Sequence, residues 1–352
     1  MNIGIIGAGG SIGRQIAQMV VAERLLSCDE RLILCGNPEG ASSRSLYGFA
    51  VDLMDAYAEI CPAIDVVFEV EKLKADLIIM AGGITLSRQE KTDKINRDDL
   101  AVHNIKVFEK YAAGLATHGH GHELVICISN PNELAVAVFA KHLGAKRVIG
   151  MGSFLDSLRF RKEIAMDLNI RRQRIHGFII GEHGAHMVPL WSSIHIYGFD
   201  DSRLEQAIQK VRKGYTTKNF FEDARKVSHE LKDLVLKGNV RKAYEMINQY
   251  PPDIRVAIKP FITHFSGSKT VAGTARATMD LIRTIMMGND ALIAGQIHLE
   301  GEFHNLSGTL GVPFVIGNQG VERIIELSLD KEEKNLLLQS ADKINQKLNH
   351  YL

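Results

Sequence analysis

At 352 residues, 45% hydrophobic and 24% charged, the chain has the make-up of a packed soluble protein and the length of two ordinary domains. A net charge of +1, with no basic stripe or acidic tail, argues against nucleic acid and against an anionic membrane surface as partners. No apolar run approaches the ~20 residues that cross a bilayer. Cys28, Cys35, Cys61 and Cys127 form no C-x-x-C pair and read as reduced thiols.

The opening Met1-Asn2-Ile3-Gly4-Ile5-Ile6 reads as a strand that starts at once, not as a signal peptide, and a cytoplasmic location is expected. Short aliphatic runs at 3–6, 32–35, 66–70, 77–80, 124–128 and 148–150 predict strands. Helix-length segments at 14–26 and 98–117 lie between them. Continuous apolar strands separated by helices imply a parallel sheet covered on both faces, a doubly wound α/β fold. The second half differs in texture. Strands are predicted at 175–180 and 194–197 in a smaller antiparallel unit, and residues 202–249 read as two solvated helices. Asp330 with Glu333 marks the start of a last helix. The domain boundary is placed near residue 150, giving a dinucleotide-binding Rossmann domain over 1–150 and an α+β substrate domain over 151–352.

The first strand runs into Gly7-Ala8-Gly9-Gly10-Ser11-Ile12-Gly13 and then into a helix. Glycine is needed there so that the backbone can approach a pyrophosphate and present the helix N-terminus to it. Gly7, Gly10, Ser11, Ile12 and Gly13 are the expected phosphate contacts. At the end of the second strand, where NAD enzymes place a carboxylate on the adenosine ribose, stand Gly36-Asn37. Without that carboxylate a 2′-phosphate meets no repulsion, and Ser42, Ser43 and Arg44 offer it donors. Both NAD and NADP remain open, with a slight lean to NADP; the alternative is NAD with Asn37 on the ribose.

Three further motifs carry chemistry. Ser129-Asn130-Pro131-Asn132 follows a strand end, where ligands of such sheets bind. Asp156 and Arg159 fall on adjacent turns of one helix face. Gly181-Glu182-His183-Gly184 closes another strand. Leu155-Asp156-Ser157-Leu158-Arg159 followed by Gly181-Glu182-His183-Gly184 resembles the signature of the malate/lactate dehydrogenase family, and the glycine loop is similar to that of bacterial-type malate dehydrogenases. The resemblance covers residues 1–200 and resumes over 311–347.

The resemblance implies an oxidoreductase that moves a hydride between a nicotinamide cofactor and a small 2-hydroxy acid. Malate/oxaloacetate is the expected pair, and a lactate-type or other 2-hydroxy acid is the alternative; a non-catalytic dinucleotide-binding protein is the third reading. It implies His183 as the proton donor and acceptor, Asp156 as its orienting partner, and Arg159 as a two-pronged ligand for the substrate carboxylate. Asn130 is expected beside the nicotinamide ribose and substrate, with Ala81-Gly82 as the turn before a mobile lid. Arg97 would polarise the carbonyl in the closed lid. Matching the lid from its front gives Arg88 as the reader of a second carboxylate, and counting back from Arg97 gives Lys91. Gln89 between them keeps the lactate-type reading open. Ser268, Thr270 and Gly273 are expected to line the substrate pocket. No metal site is expected: His118, His120 and His122 alternate with glycines but lack a completing ligand set. A homodimer or homotetramer is expected.

Overall fold

A computed structural model describes residues 1–40, 42–84 and 97–352. Its centre is a sheet begun by six parallel strands. These are β1 (Ile3–Ile6), β2 (Arg31–Cys35), β3 (Ala63–Val67), β4 (Leu77–Met80), β5 (Leu124–Cys127) and β6 (Val148–Gly150), in the order β3-β2-β1-β4-β5-β6. Strands buried on both faces need side chains apolar on both faces, which is why Ile3, Ile5, Ile6, Leu77, Ile78 and Ile79 run without alternation and are all fully buried. Each such side chain contributes about 1.5–3 kcal/mol relative to exposure.

Helices α1 (Ser11–Ala22), α2 (Leu46–Ala56), α3 (Arg97–His118) and α4 (Asn132–Leu143) connect these strands. Helix α1 begins three residues before the predicted 14, because Gly10 is its N-cap and accepts the Arg14 N–H at 2.9 Å. Strand β3 lies earlier than the predicted 66–70. Its register against β2 starts at Arg31↔Ala63, and Val70 falls in a 3-10 turn wedged against Gly114.

In the second half, α5 (Gly152–Leu168) leads to the hairpin of β7 (Ile175–Gly181) and β8 (Met187–Ile196). Strand β8 is longer than the predicted 194–197 because Val188-Pro189-Leu190-Trp191 is part of the ladder. The two helices predicted over 202–249 are three: α6 (Asp201–Arg212), α7 (Phe220–Leu236) and α8 (Val240–Ile247). They are amphipathic rather than solvated throughout, burying Val211, Phe220, Val227, Leu231, Val235 and Ile247. Then follow α9 (Pro252–Phe265), α10 (Val271–Met287) and three strands absent from the prediction: β9 (Ala291–Phe303), β10 (Leu306–Gly317) and β11 (Gly320–Ile324).

The antiparallel strands do not form a separate sheet. Gly150 pairs with Gln296, so β9, β10, β7 and β8 continue the parallel sheet beyond β6, with β11 on β10. The last helix, α11 (Lys331–Tyr351), starts as predicted: Asp330 accepts the Glu333 N–H at 2.7 Å, and Glu333 reaches back to the Asp330 N–H.

Candidate active site

The carboxyl ends of β1 and β4 lie side by side, and the loops that leave them touch. A Cβ added at Gly7 (φ +79°) would lie 2.6 Å from the Gly82 nitrogen, so the two turns pass closer than any side chain allows. Gly7 and Ala8 donate their N–H groups to the Cys35 carbonyl, and Ala81 donates to Ile6. A Cβ at Gly13 would lie 2.5 Å from the Gly7 carbonyl, so α1 packs directly on the loop. No side chain caps α1 at Gly10, which leaves its first-turn N–H groups for an anion. This bare backbone cradle fits a dinucleotide pyrophosphate.

Gly36 and Asn37 sit at the end of β2 as predicted, with Asn37 exposed. A Cβ at Gly36 would meet the Leu46 and Phe68 side chains at 2.9 Å, so a carboxylate at 36 would have to displace them, whereas Asn37 is exposed. Arg44 is exposed in the 3-10 turn before α2. Arg14, which sequence reasoning passed over, reaches the same rim. Its guanidinium donates to the Ser45 hydroxyl at 2.6 Å and to the Gly9 carbonyl at 3.1 Å, and lies over the Phe49 ring.

The next layer is the β5–α4 loop. The Ser129 hydroxyl donates to the Met80 carbonyl at 3.0 Å and also to that of Gly82, tying the loop to the β4 turn. The Asn130 carbonyl accepts from Asn104 of α3 at 2.8 Å, and the Asn130–Pro131 peptide is cis. Asn132 donates to Cys127 and Ser129 and accepts the Gly152 N–H.

His183, Asp156 and Arg159 converge. His183 Nδ1 lies 2.7 Å from Asp156 Oδ2, and Arg159 Nη1 donates to Asp156 Oδ1 at 3.1 Å. Asp156 is 1% exposed, whereas the His183 and Arg159 side chains are 20% and 22% exposed, so both are partly open to solvent while the carboxylate between them is not. Burial pushes the Asp156 carboxyl up, but His183 and then Arg159 outweigh it and hold the group below its usual range. Since an ionised carboxylate only accepts, Nδ1 carries the proton and Nε2 is the ring nitrogen not bound to Asp156. Burial likewise pulls the imidazole down, and the Asp156 carboxylate overrides it, so His183 stays protonated to higher pH than an ordinary histidine.

Two contacts missed by sequence reasoning hold this histidine in place. A Cβ at Gly152 would lie 2.4 Å from His183 Cβ and Cγ, so the side chain rests on bare α5 backbone. The buried Glu133 of α4 accepts the His183 N–H at 2.7 Å. Behind the loop, Ser340 accepts the Glu182 N–H at 2.9 Å, and Glu182 is held by His186 and Lys347.

The first 150 residues match the family model of the lactate/malate dehydrogenase NAD-binding domain, and residues 245–352 match that of the lactate/malate dehydrogenase alpha/beta C-terminal domain. The chain belongs to the lactate/malate dehydrogenase family. It is 28% identical to the malate dehydrogenase of Methanosphaera stadtmanae over 97% of its own length and 94% of that protein's. To the L-2-hydroxycarboxylate dehydrogenase (NAD(P)(+)) of Methanocaldococcus jannaschii it is 27% identical, over 97% and 96% of the two chains. The lactate dehydrogenase of Cryptosporidium parvum, solved with lactic acid and nicotinamide adenine dinucleotide, shares the fold at a TM-score of 0.76 and 24% identity, over 99% of this chain and 97% of that one. Asp156, Arg159 and His183 fall between the two matched segments of this dehydrogenase.

The remaining predicted residues are less gathered. Arg97 opens α3, and Arg88, Gln89 and Lys91 lie outside the described residues. Ser268, Thr270 and Gly273 stand at the start of α10, where Thr270 is the N-cap; among the described residues no hydrogen bond joins them to His183 or Arg159. His118 and His120 lie near Glu71, Asp76 and Glu123, and no metal-holding group occurs among the described residues.

Proposed function

We propose that this dehydrogenase interconverts malate and oxaloacetate. The observation that carries the chemistry is the hydrogen-bonded line Arg159–Asp156–His183, in which His183 bonds Asp156 through Nδ1 and leaves Nε2 to the other side of the ring. Bound in the glycine cradle, a nicotinamide cofactor supplies or takes the hydride. Gly7, Gly10, Ser11, Ile12 and Gly13 would hold its pyrophosphate, and Ala81, Gly82 and Asn130 would complete the cofactor site. His183 gives a proton to the substrate oxygen in reduction and takes it back in oxidation. Asp156 fixes its tautomer and steadies the imidazolium. Arg159 keeps one guanidinium arm on Asp156 and offers the rest of the fork to the substrate carboxylate.

The dicarboxylate reading rests on Arg88 or Lys91 as the second carboxylate ligand and on relatives named as malate dehydrogenases. Gln89 supports a lactate-type substrate as the second reading. For the cofactor, NADP is accepted alongside NAD: no carboxylate stands at Gly36-Asn37, and Arg14, Arg44 and the serines at 42, 43 and 45 border that corner. The division of the chain near residue 150 is supported by the change there from parallel strands to antiparallel ones, at the pairing of Gly150 with Gln296. A homodimer or homotetramer is supported by the exposed stripe Tyr47, Val51, Met54 on α2, and a reducing, cytoplasmic setting by four free cysteines. The deciding experiment is a panel of 2-oxo acids assayed with NADH and with NADPH. Oxaloacetate should give the highest kcat/KM; a clear preference for pyruvate would establish the lactate-type reading instead.

A further inference from the structure

Asp156 is not the only carboxylate in contact with His183. Glu133, the second residue of α4, is 6% exposed, and its Oε1 takes the His183 main-chain N–H at 2.7 Å. The element that carries it is anchored on two sides. Asn132 binds the Cys127 and Ser129 carbonyls of the preceding loop and the Gly152 N–H at the start of α5, the helix that bears Asp156. Glu133 is therefore fixed relative to Asp156, and the histidine is held by its ring nitrogen, by the Gly152 backbone against its Cβ and Cγ, and by its own backbone N–H at once.

A carboxylate is a costly acceptor for one amide proton. Burial, with the nearby Glu182 adding to it, holds the Glu133 carboxyl above its usual range against the opposing pull of the His183 N–H. A neutral carbonyl or amide oxygen would satisfy the same N–H with less desolvation. What a carboxyl adds over those groups is the capacity for charge, beside a side chain whose work is to alternate between neutral and cationic forms. The groups facing His183 are Asp156 and Arg159 from α5 and Glu133 from α4. On its own loop stands Glu182, whose charge is already taken up by His186 and Lys347. Arg159 disfavours the imidazolium, and Glu133 lies on the opposing side of the balance.

Resting on the assignment of His183 as the proton-transfer group, we propose that Glu133 is a positioning residue that fixes the His183 main chain and, when ionised, sets a second negative charge beside its ring. The residue touches neither substrate nor cofactor in this role; it acts through His183.

Glu133→Gln separates the two contributions, since the amide oxygen still accepts the N–H while the charge is gone. kcat/KM for 2-oxo acid reduction and for 2-hydroxy acid oxidation should be followed against pH with the full-length enzyme and saturating cofactor. In Glu133→Gln the titration midpoint in both directions should move to lower pH by about half to one unit, so that reduction above the midpoint falls about three- to tenfold while the low-pH plateau and cofactor Kd hold. Glu133→Ala should show that shift and also a fall in the plateau. An unmoved midpoint in Glu133→Gln, with Glu133→Ala impaired at all pH, would reduce Glu133 to a structural acceptor and overturn the proposal. If the variants fail to fold, carbon-detected NMR of the wild-type glutamate carboxyls decides: Glu133 ionised where His183 titrates supports the proposal, and Glu133 protonated throughout overturns it. His183→Asn run in parallel keeps the two readings apart, because turnover surviving in that variant would remove the underlying assignment whatever Glu133 does.

Discussion

Replacing Asp156 with Asn leaves the number of heavy atoms unchanged and removes one charge from a site that is 1% exposed. Two hydrogen bonds are altered, to His183 at 2.7 Å and to Arg159 at 3.1 Å. A hydrogen bond to a charged partner contributes about 1.5–3 kcal/mol. At about 1.36 kcal/mol per pKa unit, losing it should lower the His183 pKa by about one to two units. The sign follows from the reaction. Reduction needs the imidazolium, which the Asp156 carboxylate keeps populated to higher pH than an ordinary histidine allows. In Asp156→Asn, reduction should therefore fade at a lower pH, and near neutrality it should drop about ten- to a hundredfold. The amide can also present its N–H to Nδ1 and stabilise the wrong tautomer, which deepens the loss in both directions. Steady-state NADH oxidation with the best 2-oxo acid, from about pH 5 to about pH 9, reads both effects against the ordinary histidine range. A pH profile that coincides with wild type would refute the claim that Asp156 sets the protonation of His183.

Arg159→Lys keeps the charge but loses the planar fork, so kcat/KM should fall at least about tenfold for every 2-oxo acid, with cofactor affinity unchanged; a loss that depends on the substrate's side chain would assign Arg159 to its other end. Cofactor choice is tested at Asn37 rather than Gly36, because Asn37 is exposed whereas a side chain at 36 would have to displace Leu46 and Phe68. Asn37→Asp should shift kcat/KM towards NADH by about tenfold, and Arg14→Ala should cost NADPH more than NADH, by the worth of one charge-assisted contact; a wild type inert with NADPH would end that reading. Glu182 is held at about 2, below its usual 4.5, by His186 and Lys347 against the opposing effect of burial. Its contribution to stability is thus present above the usual carboxylate range and lost as pH falls towards about 2. Since Lys347 is half exposed, Lys347→Ala should cost about 1 kcal/mol near neutrality, lowering Tm by a few degrees in scanning calorimetry, and the gap should close in acid.

The parallel half of the sheet was legible because strands buried on both faces write continuous apolar runs; the 3–6, 77–80 and 148–150 runs coincide with β1, β4 and β6. The long β9–β10 hairpin was not. Gly295, Gly301, Gly308 and Gly311 interrupt its pattern, and its register is set by non-local pairing from Ala291↔Ile316 to Leu306↔Phe303. Among the site residues, Asp156, Arg159 and His183 carry motifs and could be read. Glu133 has no signal of its own, since a glutamate in the first turn of a helix is ordinary on the surface and becomes unusual only once buried against a distant backbone N–H. Arg14 was passed over for a similar reason: the first turn after the glycine loop is expected to pack, and only the fold brings it to Ser45.

The central claim is direct hydride transfer to the carbonyl carbon of a 2-oxo acid, with His183 supplying the proton. Incubating the enzyme with cofactor deuterated at the nicotinamide C4 and with oxaloacetate, then examining the product by mass spectrometry and proton NMR, tests it in one step. The account predicts a single deuterium at C2 of malate, transferred from one face of the nicotinamide only, with product formation falling by orders of magnitude in His183→Asn. Product without deuterium at C2, or undiminished product in the variant, would contradict it.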